Sequence, residues 1–269
     1  MPELPEVEIA ARALRRWLVG RRITAVTVQD ARIVVGDAGG LARGLLGRSV
    51  RSIDRKGKRL RLSLDDERLV FVGLGMTGKW VRRPSRAPSE RFEKLRLRLK
   101  NTLHQRSSVR LVDPRLLASL ELRADDSPGW RALGPDPLAD GVDTALLHRA
   151  LQRRAGPIKV NLMDQSVLAG IGNIQAIEAL FLARIDPRTP SNALDMKKVN
   201  RLALAITESI ARTLAHESEG ELTYVGEAGA PNPFIIYGRA GEPCPRCGTK
   251  LVRLVQAGRG TTWCPSCQT

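Results

Sequence analysis

Four cysteines stand close to the end of this 269-residue chain, and it has no others. Their spacing is Cys244-x2-Cys247-x16-Cys264-x2-Cys267. Two CxxC pairs at such a separation can hold four thiolates tetrahedrally around one Zn²⁺, with a hairpin tip supplying each pair. Four protein ligands leave no open coordination position, so one structural zinc per chain is expected and the metal takes no part in chemistry. A redox dithiol or a pair of disulfides would use the same residues. Neither suits a basic chain of a reducing compartment, which is where a sequence with so few cysteines is expected.

The rest of the chain changes its hydrophobic period twice. Val7, Ala10, Ala11, Leu14, Trp17 and Leu18 recur at helical spacing, which predicts an amphipathic helix over residues 4–19, ended by Gly20. From residue 23 to about 122 the period is two. Leu60, Leu62 and Leu64 alternate with Arg59, Arg61 and Ser63; the pattern resumes at Leu69 and Phe71; and Leu95, Leu97 and Leu99 alternate with Lys94, Arg96, Arg98 and Lys100. Such strands bury one face in an antiparallel sandwich and turn a cationic face outward, either to solvent or to DNA. A Pro/Gly/Asp-rich stretch at 125–141 reads as a linker. Helical patterns follow at 145–154, 158–163, 173–183 and 193–215, before Gly226 to Pro233 breaks them. The expected fold is therefore α+β. A helix and β-sandwich occupy 1–124, an all-helical domain 142–225 and a zinc ribbon 226–269.

Lys and Arg number 44 against 28 Asp and Glu, a formal charge of +16, which points to a polyanionic partner. With 42% apolar residues the chain can still bury a core. No run of about 18 apolar residues and no signal-peptide pattern is present, so neither a membrane span nor secretion is expected. A cytoplasmic, nucleoid-associated location follows.

Two further constellations carry chemistry. Removal of Met1 before the small residue that follows it would leave Pro2 with a free secondary amine. An α-amino group titrates near 8, roughly two units below lysine, so part of it is an uncharged nucleophile at neutral pH. Attack on a sugar C1′ gives an iminium ion, which acidifies the C2′ proton and permits elimination of the 3′ phosphate. Glu3 and Glu6 lie one turn apart beside that amine, as proton shuttles must. The same residues also suit a helix start, with proline in the first turn and acids complementing the dipole. Gly170 and Gly172 bracket another helix start, where free N–H groups and Asn173 suit a phosphate; a tight turn would need the same glycines. Lys250, Arg253 and Arg259 lie between the cysteine pairs, as a phosphate-tracking ribbon or as solvated surface.

Met1-Pro2-Glu3-Leu4-Pro5-Glu6-Val7-Glu8, Gly57-Lys58, Leu74-Gly75-Met76-Thr77-Gly78, Asp113-Pro114-Arg115, Ile158-Lys159, the run from Asp164 to Asn173, Tyr237-Gly238-Arg239 and the cysteine pairs occur in one order along the chain. Together they resemble the formamidopyrimidine-DNA glycosylase and endonuclease VIII family from end to end, on its bacterial formamidopyrimidine-DNA glycosylase side. The resemblance implies a helix plus β-sandwich, a helix-two-turn-helix domain and a zinc finger, with duplex DNA gripped in a cleft and a monomer as the working unit. It further implies excision of oxidised or ring-opened purines, then cleavage at the abasic site through a Schiff base. Pro2 matches the nucleophile, Glu3 the acid/base at the sugar ring, Glu6 a supporting carboxylate and Lys58 a lysine that contacts DNA near the lesion. Lys159, Asn173, Tyr237 and Arg259 match phosphate ligands, and Met76 fills the vacated space, with Arg115 on the neighbouring DNA-binding turn.

The departures lie beside Arg115. Where the family continues with Arg, Phe and Gly, this chain has Leu116, Leu117 and Ala118, so the cation and aromatic of the wedge are expected to be missing. Gly73 stands where a His is common, and the Glu219 to Ile236 loop looks short. A relative acting on alkylated, bulky or abasic lesions, and a non-catalytic lesion-binding protein of the same fold, are the alternatives these departures leave.

Overall fold

The computed structural model describes residues 2–100, 107–216, 221–225, 227 and 229–269. Met1 and part of the 219–236 loop lie outside the described residues. The chain forms two compact units, one of residues 1–2, 6–131 and 217–227, the other of residues 3–5, 132–216 and 228–269.

The first unit carries most of α1 (Leu4–Leu18), then β1 (Arg22–Val28), α2 (Ala38–Leu45), β2 (Val50–Lys56), β3 (Arg59–Leu64), β4 (Leu69–Gly73), β5 (Lys79–Pro84), β6 (Glu93–Lys100), β7 (Ser107–Val112), β8 (Ser119–Arg123) and the short α3 (Pro128–Arg131). The strands make two four-stranded antiparallel sheets, ordered β1-β6-β7-β5 and β2-β3-β4-β8. Leu60, Leu62 and Leu64 on β3 and Leu95, Leu97 and Leu99 on β6 are buried, as their alternation requires.

Helix α2 interrupts the expected run of strands. Asp37 caps it by accepting the N–H groups of Gly39 and Gly40, a local bond that a two-residue period does not register. Strand β4 also departs from the reading that put Leu69 and Phe71 on its apolar face. Val70 and Val72 pair with Leu62 and Leu60 and share their buried face. Phe71 points the other way, where the Trp130 ring meets it edge-on at 5.7 Å. Trp130 comes from the stretch read as a linker, and its packing is why β4 is apolar on both sides.

Strand β7 is buried along its whole length. Fully buried Arg110 donates to the carbonyls of Pro84, Ala87 and Pro88 and pairs with buried Glu93, so the backbone after β5 folds over that strand.

The second unit is built from α4 (Thr144–Gln152), α5 (Ile158–Leu162), α6 (Asn173–Ala183) and α7 (Met196–His216), followed by the hairpin of β9 (Val252–Gln256) and β10 (Arg259–Trp263). Asp143 caps α4. Helix α6 is buried on nearly every side, in a core with Leu147, Leu162, Leu202 and Ile206. Cys244, Cys264 and Leu251 pack onto Ile177 and Phe181 of the same helix, which anchors the cysteine-bearing tail. No helix among the described residues is long and apolar enough to cross a membrane.

Candidate active site and nucleic-acid interface

In the first unit, a cleft of about 370 Å³ runs along β3, β4 and β8. Pro2, Lys58, Gly73, Leu117 and Glu121 line it, over a floor that includes Phe71 and Leu74. Pro2 and Lys58, both singled out from the sequence, thus line one cavity. Glu6 is buried on α1. Glu8 is buried in a cluster with Arg55 of β2 at 2.7 Å, Arg12 at 3.1 Å and Arg15 at 3.3 Å. Burial pushes its carboxyl up, but the Arg55 hydrogen bond and charge, with Arg15 and Arg12, hold it below the usual range. This cluster ties α1 to β2.

Two turns stand side by side at the rim. Gly75 has φ +62°, and a Cβ there would lie 2.3 Å from the Leu117 carbonyl oxygen, so only glycine permits the approach. Asp113 organises both turns. Its Oδ1 accepts the Thr77 hydroxyl and the Arg115 N–H, and its Oδ2 accepts the N–H groups of Leu117 and Ala118, both at 2.7 Å. Met76 is half-buried, while Arg115 and Leu117 are exposed. Leu116 takes a left-handed φ of +56°, a strained value for a leucine. The turn presents Arg115 and Leu117 to solvent together.

In the second unit, the start of α6 bears on the two readings of Gly170 and Gly172, a phosphate site or a tight turn. The N–H groups in question belong to Gly172, Ile174 and Gln175. They are taken by the chain's own Glu3, whose Oε1 accepts Ile174 N–H at 2.9 Å and whose Oε2 accepts Gly172 and Gln175 N–H at 3.0 Å each. A carboxylate satisfies the orphan donors and positive end of a helix as a phosphate would. Gly170, at φ +99°, makes room for this docking, since a Cβ there would meet the Leu4 side chain at 2.6 Å. Gln175 also reaches across to Ser209 and Thr213 of α7, so the helix that holds Glu3 is itself locked.

Around Glu3 stand the other matched residues of this unit. Lys159 is fully buried, and among the described residues its Nζ has no hydrogen-bond partner. Burial, then the charge of Arg259, brings its pKa down to about 8 against the opposing pull of Glu3. A buried ammonium without a partner is costly unless an anion arrives to pair with it. Asn173 donates through Nδ2 to the Gly260 carbonyl at 3.1 Å and leaves its Oδ1 buried without a partner. Its amide therefore braces the hairpin bearing exposed Arg259. Tyr237 packs edge-on against Phe234 at 5.7 Å, and burial, then Glu3, raises its phenol pKa. Glu178 of α6 sets the Tyr237 segment by accepting the N–H groups of Ile235, Ile236 and Tyr237. Burial raises the Glu178 carboxyl despite those three donors. Its position inside an apolar helix was the only sequence hint of this role.

The four cysteine sulfurs lie within 4.8 Å of one another, with pairs at 3.5 and 3.9 Å, and none is disulfide-bonded. A Zn–S bond of about 2.3 Å sets tetrahedral sulfurs roughly 3.8 Å apart, so the donor set fits one structural Zn²⁺.

Family models match along the chain: the formamidopyrimidine-DNA glycosylase N-terminal domain over residues 1–120, the H2TH domain of the same proteins over 133–224, and the zinc finger found in FPG and IleRS over 241–269. The chain belongs to the formamidopyrimidine-DNA glycosylase family. Formamidopyrimidine-DNA glycosylases of Cupriavidus pinatubonensis and Laribacter hongkongensis are 36% and 37% identical to it, each match covering 100% of both chains. The Lactococcus lactis enzyme bound to DNA with an abasic site superposes with a TM-score of 0.87 at 30% identity, over 99% of each chain. The same enzyme bound to DNA containing N7-benzyl-Fapy-dG gives 0.88 at 30% identity, over 100% of each. The helix-and-sheet unit, the helix-two-turn-helix segment and the four-cysteine finger are those of this family.

Proposed function

We propose that this chain is a bifunctional DNA glycosylase and abasic-site lyase, removing damaged bases from duplex DNA and then cutting the strand. The observation that carries the reading is Pro2 in the wall of the 370 Å³ cleft beside Lys58. The Pro2 nitrogen attacks C1′ of the damaged nucleotide, and the base departs with the glycosidic electron pair. Opening of the sugar ring, with a proton delivered to O4′ by Glu3, leaves an iminium between C1′ and Pro2. Loss of the C2′ proton then expels the 3′ phosphate, and hydrolysis of the iminium returns the amine. Glu6 supports Glu3, and Lys58 offers a cation to the strand at the cleft. Lys159, Asn173, Tyr237 and Arg259 hold the flanking phosphates, with Lys159 giving its unpartnered ammonium to one of them. The substrates are oxidised and ring-opened purines. A monomer acting on nucleoid DNA in the cytoplasm completes the reading.

One observation favours a shifted lesion preference. The exposed turn beside Met76 carries Leu117 where a stacking aromatic would stand, which weakens extrusion of a well-stacked base.

The test is borohydride trapping on an abasic-site duplex. The protein with a free Pro2 amine should form a covalent adduct with DNA, whereas retention of Met1 or an added N-terminal residue should abolish it. Trapping and cleavage by the blocked protein would transfer the nucleophile to a lysine, with Lys58 first.

A further inference from the structure

The sheet that does not line the cleft carries a charge distribution that folding alone does not explain. On β6, Lys94, Arg96, Arg98 and Lys100 all alternate with buried leucines and face away from the core. Elsewhere on this sheet the cations have carboxylates: Lys94 meets Asp30 at 3.8 Å, Arg96 meets Glu93 at 2.6 Å, and Arg83 on β5, two strands from Arg98, meets Glu90 at 2.6 Å. At the β1 edge this stops. Arg22 of β1 is directly opposite Lys100 of β6, with Arg98 two residues along, and all three are exposed. Among the described residues no carboxylate pairs with any of them. Among the described residues the Arg22 guanidinium donates to the neutral Gly47 carbonyl, at 2.9 Å.

Like charges facing each other across antiparallel strands are destabilising. The same face neutralises its other cations, so the bare corner stands out against its own surroundings. A surface of this kind suits a partner that brings the missing negative charge at close, regular spacing, which is what a nucleic-acid backbone offers.

We propose that the Arg22–Arg98–Lys100 corner is a second contact surface for duplex DNA, separate from the cleft, which engages the phosphates of a neighbouring segment. It rests on the reading of the chain as a DNA enzyme. The corner lies on the β1-β6-β7-β5 sheet, and the Pro2 cleft is lined from the β2-β3-β4-β8 sheet of the same unit. A protein holding one segment in the cleft can therefore touch another through the corner and pass between them without first dissociating.

The test compares wild type with the triple variant Arg22→Glu/Arg98→Glu/Lys100→Glu, and with Arg22→Lys/Arg98→Lys, which keeps the charge. The full-length zinc-loaded proteins are bound to a labelled undamaged duplex and chased with increasing unlabelled duplex. Wild type and the charge-keeping variant should dissociate several-fold faster as competitor rises, while the triple variant should dissociate at one rate throughout. The log–log salt dependence of the second binding event should become shallower by about 2.7, at roughly 0.9 per phosphate contact removed. Single-turnover excision from a short damaged duplex should be equal in all three, and matching thermal melts show that the fold is kept. Competitor-independent dissociation of wild type would overturn the proposal. So would a triple variant that still exchanges like wild type, or one that loses excision on the short duplex, which would make the corner part of the main binding path. Absence of excision in every protein, with competitor-driven exchange retained in wild type and the charge-keeping variant and lost in the triple variant, would overturn the enzymatic reading and leave this surface standing.

Discussion

The carboxylate of Glu3 caps helix α6 through the backbone N–H of Ile174, at 2.9 Å, with Gly172 and Gln175 completing the set. An acid assigned to proton transfer at the sugar thus also closes the end of the most buried helix in its unit. The three donors orient the carboxylate, and Gln175 carries that orientation to α7 through Ser209 and Thr213.

Glu3→Gln should therefore lower stability as well as activity. An amide keeps one acceptor oxygen and turns an NH₂ toward backbone donors, at a cost of about 1–3 kcal/mol for the lost charge-assisted bonds. Excision should fall by roughly 10²–10⁴-fold, the usual span for losing a general acid or base. Thermal melts and single-turnover rates check both. A variant with wild-type stability would show that the cap does not depend on the charge.

Lys159 supplies a pH dependence. Burial brings its folded pKa to about 8, below the ordinary lysine value of 10.5. Between those values the unfolded chain binds the extra proton, so this group makes stability rise with pH across that window. Phosphate binding runs the other way, because it needs the ammonium. Affinity for abasic-site duplex should fall as pH climbs from 7 to 9, and Lys159→Met should flatten that fall while weakening binding at pH 7. An unchanged pH profile in the variant would remove Lys159 from the phosphate contacts.

Zinc removal should act on the second unit first, because Cys244 and Cys264 pack directly against Ile177 and Phe181. Purified protein should hold about one zinc. Cys247→Ser or chelation should expose amides of α6 and the hairpin to hydrogen exchange while the first unit's strands stay protected. DNA affinity should fall with it. Elemental analysis without zinc would defeat this.

Partner-base discrimination should divide between Arg115 and Leu117. Leu117 has no donor and no aromatic face, so Leu117→Phe should speed excision of a well-stacked 8-oxoguanine, base–aromatic stacking being worth about 1–3 kcal/mol. Arg115 is the single cation of the 113–118 turn, and Arg115→Ala should erase whatever preference exists for the base opposite the lesion. Single-turnover rates on 8-oxoguanine, formamidopyrimidine and abasic duplexes, each opposite all four bases, measure both. A strong wild-type preference for cytosine that survives Arg115→Ala would assign the reading of that base to another residue.

The features legible in the residues alone were local or covalent. Leucine alternation set β3 and β6, helical spacing set α1, and the CxxC pairs defined a four-thiolate metal site, because each depends on neighbours a few positions apart and on backbone geometry common to all chains. The ordered motifs identified the family for the same reason. Tertiary structure decided what depended on distant partners. Phe71 turned outward because Trp130 waited there, 59 positions along the chain. Three α6 donors that suited a phosphate or a turn are satisfied by Glu3, and Glu8 of α1 is buried against Arg55, which comes to it from β2. Hydrogen-bonding capacity can be read from a residue's name, but its partner is settled only when packing brings two remote segments within 3 Å, and that selection is made by the fold as a whole.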